Sequence, residues 1–263
     1  MKKLKIAITQ VGTDNSSNDL VRQVCDDPAM LDLCTPIIMN KEAAFRELEG
    51  GKVDALVLAS ATEPVKNAFE IIVTDKTNIA PLTQEPTAED IILFRDILER
   101  DFGLQLPRIA IVQETSMQNP ELASQITEEQ GINTYGPYTV EQIMAEDSAS
   151  HFDGIITADK TLARRIVAEL AEEAPVRFFA GREPIVTAVY QLAEKNETEE
   201  GVADVSWLTH PFFVAIDVLR NRDFYDEARQ NPLPKLFRDK RDDRKRDEAP
   251  QANTNIDNPE QAL

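Results

Sequence analysis

The sequence predicts an α/β protein built on a doubly wound, mostly parallel sheet, and three observations carry that reading. Short, near-continuous apolar runs alternate with longer stretches of helical periodicity, the order expected when helices connect parallel strands. Each run is bounded by polar or turn residues, as suits a strand covered on both faces. The 263 residues, 42% of them hydrophobic, suffice for a sizeable buried core.

Four runs are the clearest strands: KIAIT at 5–9, DALVLAS at 54–60, RIAIVQ at 108–113 and DGIITA at 153–158. FEIIVTD at 69–75 is a fifth, and VRFFAG at 176–181 a candidate sixth. Helical periodicity covers 18–33 and 41–50, the latter stopped by Gly50 and Gly51. The strongest helix runs from Thr87 to Phe102. A Thr-x-x-Asp start resembles a capping box, and Ile91, Ile92, Phe94, Ile97, Leu98 and Phe102 form its stripe. Further helices are expected at 119–130, 139–147, 160–173, 184–196 and 205–221. The body is expected to span 1–237. From 238 to 263 a mixed-sign charge run and a polar tail offer little apolar surface to bury, so a disordered tail is expected.

The net charge of −19 opposes nucleic acid and anionic membranes, because binding either relies on Lys and Arg. No apolar run approaches the roughly 18–20 residues needed to span a bilayer. The opening MKKLKIAITQ has too short an apolar part for a signal core and reads as a strand. A cytoplasmic protein is expected. Cys25 and Cys34 read as buried small hydrophobes rather than a disulfide or metal pair.

Residues suited to catalysis are scarce. There is no G-x-G-x-x-G turn, P-loop or G-x-S-x-G elbow. The loop after the first strand, TQVGTDNSSND, contains Gly12 as its sole glycine and reads as a helix-capping loop. The two histidines, His151 and His210, read as packing or surface residues. Asp75 and Asp159 follow strands, where parallel sheets place ligands. Arg164 and Arg165 follow the fourth strand, Arg177 and Arg182 flank FFAG at the candidate sixth, and if these four converge they could hold a phosphate or carboxylate.

Several blocks, in order over about residues 5–225, resemble the 4-hydroxythreonine-4-phosphate dehydrogenase family. KIAIT and DDPAMLDLCTPIIM look like that family's first strand and its following helix and strand. GGKVDALVLAS is similar to "GxVDAxVTAP", and IAPL to "HIPL". ERDFGLQLPRIAIV resembles the helix end and strand "DFGIxxPRIAV". EEQGINTYGPYTVEQIM and FDGIITA follow "GIxVxGPxxADT" and "YDAVVAMYHDQG". VRFFAGREPIVTAVYQLAEK lies where the family has "IRTSVDHGTAFDIAGKG".

The resemblance implies the two-lobed fold of isocitrate and isopropylmalate dehydrogenases, an NAD- and metal-dependent oxidoreductase of pyridoxal phosphate biosynthesis, and a homodimer. It implies three metal-binding histidines, and none is present. Met117 or a neighbour stands at the first place, Asp159 and Lys160 at the second, and Arg182 near the third. The glycine-rich "GDPAGIGPE" turn is replaced, and the "PGHTE" segment falls in a deletion between Ser60 and Phe69. The "HIPL" histidine, a substrate contact, appears as Asn78, preceded by Thr77. Arg177 matches the arginine of "IRTS", and Arg164 or Arg165 lies near a phosphate-contacting lysine.

The metal would polarise the substrate, and cations at its ligand positions would repel it. The expectation is therefore an inactive divergent homologue with no catalytic or metal residues and no cofactor. Its expected partner is a small anionic ligand held by Arg164, Arg165, Arg177, Arg182, Thr77 and Asn78. Two alternatives are an active dehydrogenase with a relocated metal site at Asp75, Asp153, Asp159 and Glu183, and an interaction protein using the acidic body or the tail.

Overall fold

The computed structural model describes residues 3–10, 15–59, 65, 68–114, 121–187 and 206–231. Its strands are β1 (Leu4–Thr9), β2 (Cys34–Met39), β3 (Ala55–Leu58), β4 (Phe69–Val73), β5 (Asn78–Pro81), β6 (Ile109–Val112), β7 (Thr134–Tyr138), β8 (Gly154–Thr157), β9 (Val176–Ala180) and β10 (Ile185–Thr187). The helices are α1 (Asn15–Cys25), α2 (Pro28–Leu33), α3 (Lys41–Glu49), α4 (Ala88–Asp101), α5 (Leu122–Gln130), α6 (Val140–Met144), α7 (Lys160–Leu170) and α8 (Ser206–Gln230). A 3-10 turn covers Ala145–His151. The residues up to Asp226 form one unit. Those from Glu227, with the end of α8, form a second. The expected boundary at 237 and tail at 238–263 lie outside the described residues.

All ten strands join one sheet in the order β2-β1-β3-β10-β9-β4-β5-β8-β6-β7. It is mostly parallel, as expected, but it is one continuous sheet holding two parallel blocks. The block β2-β1-β3-β10 runs one way and β5-β8-β6-β7 the other. Antiparallel β9 and β4 join them. The ends where parallel strands present ligands therefore lie on opposite edges for the two blocks.

Local sequence explains the helices that frame the sheet. Thr87 and Asp90 complete a reciprocal capping box on α4. Thr139 and Gln142 do the same for α6. The expected helix at 18–33 is two helices. Asp27 caps a new start whose first residue is Pro28, since proline lacks the N–H an interior position would need. The expected helix at 184–196 begins instead as β10, because Ile185, Val186 and Thr187 are β-branched and complete the sheet between β3 and β9. At Gly154 the sheet meets α4 so closely that an added Cβ would stand 2.7 Å from both Phe94 and Leu98.

The two faces of the sheet are packed differently. One carries a single core that joins Ile6, Ile8, Ile71, Ile111 and Phe178 to Phe94 and Leu98 of α4 and Phe212 and Ile216 of α8. The other carries two clusters among the described residues. Ile72, Ile79 and Ile155 pack with Leu162 and Ile166 of α7. Leu56, Leu58, Phe179 and Ile185 pack with Ala44 and Leu48 of α3. Strands β4 and β9 lie where these two clusters adjoin, at the reversal of strand direction.

Candidate anion-binding site between the two parallel blocks

A polar cluster stands at that reversal. Glu70 lies opposite Phe179 across the β4–β9 pair, and Ile72 lies opposite Arg177. Side chains alternate faces along a strand, and directly paired residues share one. Glu70, Arg177 and Phe179 therefore share the face that carries the two separate clusters. Extending the β4–β5 register sets Glu70 level with Pro81, whose parallel partner is Thr157 at the end of β8. Two residues after Thr157, Asp159 starts α7, and Lys160 is its first residue.

Two cations converge on one carboxylate there. Arg177 Nε donates to Glu70 Oε1 at 2.7 Å, and Lys160 Nζ donates to Glu70 Oε2 at 3.2 Å. The Glu70 and Arg177 side chains are each 14% exposed and Lys160 is 37% exposed. The Arg177 guanidinium also lies over the Phe179 ring, 5.0 Å from its centroid, a geometry that favours a cation on an aromatic face. On the far side of Arg177, paired with it across β9 and β10, is Thr187. Thr187 is fully buried, and its Oγ1 has no hydrogen-bond partner among the described residues. A buried hydroxyl without a partner is costly, so this one marks a place where an acceptor would be welcome.

The other expected ligand residues are not gathered here. Arg165 bridges Glu114 and Glu141 at the surface. Arg164 is exposed on α7. Arg182 is 89% exposed in the turn after β9, paired with Glu183. The four arginines thus do not converge, because successive α7 residues project in different directions and Arg182 lies beyond the strand that holds Arg177. Thr77 donates to the Phe152 carbonyl at 2.9 Å, and Asn78 Nδ2 donates to the Asp153 carbonyl at 3.3 Å. Both tie the start of β5 to the turn before β8, at the end of these strands away from Lys160. Asn78 Oδ1 is left buried without a partner among the described residues.

The carboxylates of the relocated metal site are also dispersed. Asp75 accepts from the Glu172 amide, Asp153 from Arg108, and Glu183 pairs with Arg182. Asp159 accepts from the Thr161 amide, which holds its carboxyl below the usual range. Among the described residues no three His, Cys, Asp or Glu are grouped as for a metal. Met117 lies outside the described residues. His210 Nδ1 lies 3.1 Å from the Ala174 carbonyl. His151 lines a cavity of about 280 Å³ with Tyr138, Gln142, Ile143 and Phe152. No described helix is long and apolar enough to cross a membrane.

No protein-family model matches the chain. It is 32% identical over 174 residues to the 4-hydroxythreonine-4-phosphate dehydrogenase of Bacteroides thetaiotaomicron, an alignment covering 62% of this chain and 48% of that one. Two solved structures share its fold. The putative enzyme of the same name from Salmonella typhimurium has a TM-score of 0.58 at 10% identity, over 82% of this chain and 100% of that one. The enzyme of that name from Burkholderia phymatum has 0.54 at 13%, over 83% and 99%.

Over those 174 residues the chain is similar to a 4-hydroxythreonine-4-phosphate dehydrogenase.

It spans about half the length of the curated relative it matches. The isocitrate dehydrogenase of Methylococcus capsulatus shares the fold as well, with a TM-score of 0.55 at 11% identity, over 86% of this chain and 89% of that one. This is the dehydrogenase-like architecture that the resemblance implies. Asp159 and Lys160 stand where the resemblance implies the second metal histidine, and Arg177 where it implies the "IRTS" arginine. Lys160 and Arg177 reach Glu70. The donor set around Glu70 is cationic, and a cationic set does not fit a divalent metal.

Sequence reasoning missed Glu70 and Thr187. The signal for Glu70 was an acidic residue inside the otherwise apolar run FEIIV, an expensive place for a charge without a partner. Thr187 was hidden by assigning its segment to a helix.

Proposed function

We propose that this chain is a non-catalytic relative of the dehydrogenases that binds a small phosphorylated or carboxylated molecule between its two parallel blocks. The observation that carries the proposal is the pair Lys160 and Arg177 on one carboxylate. A substrate-polarising metal needs oxygen or imidazole donors, and an ammonium and a guanidinium supply neither. The same two groups suit an oxyanion, the guanidinium by its directional donors and the ammonium as a point charge. Cytoplasmic location and a homodimeric state complete the proposal, as the resemblance implies.

Two measurements test it. Purified protein is given NAD, zinc or magnesium, and the phosphorylated hydroxythreonine. Metal-dependent formation of NADH at ordinary enzyme rates would overturn the loss of activity. Thermal unfolding is then followed with phosphate at matched ionic strength. Stabilisation that disappears in Arg177→Ala is the expected result, and no response to phosphate in the native protein, with none unmasked by neutralising Glu70, contradicts the ligand-binding role.

A further inference from the structure

We infer that Glu70 is a built-in occupant of the anion site, and that a ligand's carboxylate or phosphate group enters by displacing it. The inference rests on the anion-binding reading above and goes beyond it by naming what holds the site closed.

The geometry around Glu70 is that of a bound oxyanion. One oxygen meets the Arg177 Nε and the other meets the Lys160 Nζ, so both oxygens are engaged by different cations from different elements. Arg177 is fixed from below by Phe179 and sits in a strand of the central sheet. Lys160 is held at the first turn of α7. Glu70 is the second residue of β4, and the residue before it, Phe69, is already at the strand's end. The carboxylate and its two cations thus come from three different elements, β4, β9 and α7.

Two cations from different elements are held on this one carboxylate, on a chain whose net charge is −19. A phosphate monoester carries more negative charge than the glutamate it would replace, and it brings more acceptor oxygens. The Thr187 hydroxyl supplies a donor on the same face beside Arg177. It is wholly buried and satisfied by nothing among the described residues. An acceptor placed beside Arg177 on this face would satisfy it. These observations together select a phosphate or carboxylate ligand over a neutral one.

A tethered occupant competes with free ligand at an effective concentration on the order of millimolar or above. Native protein is therefore a weak binder of simple anions, and neutralising Glu70 strengthens inorganic phosphate binding by about tenfold or more. Glu70→Gln keeps the shape and removes the charge, and calorimetric titration with phosphate at constant ionic strength reads the effect. Adding Lys160→Gln to that variant should remove most of the gain. If folded Glu70→Gln binds phosphate no more tightly than the native protein, the inference is overturned. When that happens while Lys160→Gln weakens both, the anion site stands and the occupant does not. If neither native protein nor variant binds phosphate, both readings fall. Glu70→Ala provides a second route. Should either variant lose its fold in plain buffer, acetate or phosphate (but not chloride) restores it, and failure of both anions to do so counts against the inference.

Discussion

Arg222 grips both carboxylate oxygens of Asp101, with Nε 2.8 Å from Oδ1 and Nη2 2.9 Å from Oδ2. Asp101 is fully buried at the end of α4, and Arg222 is 13% exposed on α8. Arg100 binds the same two oxygens at 2.6 and 2.9 Å. Arg222 also donates to the carbonyls of Arg182 and Gly181 at the turn after β9, and Asn221 to the Asp101 carbonyl. This one carboxylate therefore ties α4, α8 and the β9 turn together.

Removing that charge should be costly. Asp101→Asn leaves two guanidinium groups against a neutral amide, and losing one partner of a buried ion pair typically costs about 3–5 kcal/mol. The urea midpoint of the variant should fall accordingly, with an unchanged slope if the fold is retained. A midpoint within experimental error of the native one would show that the network contributes little net stability.

Gly154 should tolerate no side chain. An added Cβ would approach Phe94 and Leu98 within 2.7 Å, and both of those residues are fully buried. Gly154→Ala is expected to destabilise by about 1–3 kcal/mol, the usual range for overpacking. Pairing it with Leu98→Ala should lose less than the sum of the two single changes, since the second creates the space the first needs.

The arginines should separate functionally as they do spatially. Arg164→Ala, Arg165→Ala and Arg182→Ala are expected to leave phosphate-dependent stabilisation unchanged, whereas Arg177→Ala abolishes it. Arg165 and Arg182 pair with surface carboxylates, and surface pairs contribute little. Loss of the phosphate response in Arg165→Ala would move the site from the sheet to the α6–α7 surface.

Much of the fold was legible because burial writes itself as continuous apolar runs. The runs at 5–9, 54–60, 69–75, 108–113, 153–158 and 176–181 all contain strands. Strand β5 is only NIAP and ends in proline, while β7 is TYGPY; neither has the apolar length that signals a strand. The spacing of PIVTAVYQLAEK suggested a helix through β10, yet Ile185, Val186 and Thr187 are three β-branched residues in a row, better suited to a sheet. At the candidate site, Lys160 and Arg177 were visible as odd residues at implied ligand positions. Their meeting on Glu70 was not visible, because it depends on β4 and β9 being antiparallel neighbours despite about a hundred residues between them.

The cysteines give a prediction with a defined pH range. Cys25 and Cys34 are buried free thiols, as the sequence suggested. Burial pushes the Cys25 thiol from an ordinary 9.0 up to about 12, with Asp26 adding to the effect. Burial likewise raises Cys34 to about 11, with Lys3 and Arg220 pulling the other way. Both groups hold their protons more tightly when folded. Their neutral thiols are therefore fully accommodated below pH 9. Their contribution is lost as the pH rises through about 11 and 12, where the folded state would have to bury thiolates. Stability measured by urea unfolding should decline across that alkaline range, and Cys25→Ala should flatten the decline. At pH 8 a thiol-directed disulfide reagent should react slowly with native protein and rapidly with both cysteines in denaturant, since the thiolate is the nucleophile. Rapid labelling of native protein at pH 8 would show that Cys25 or Cys34 is reached by solvent in a low-lying open state.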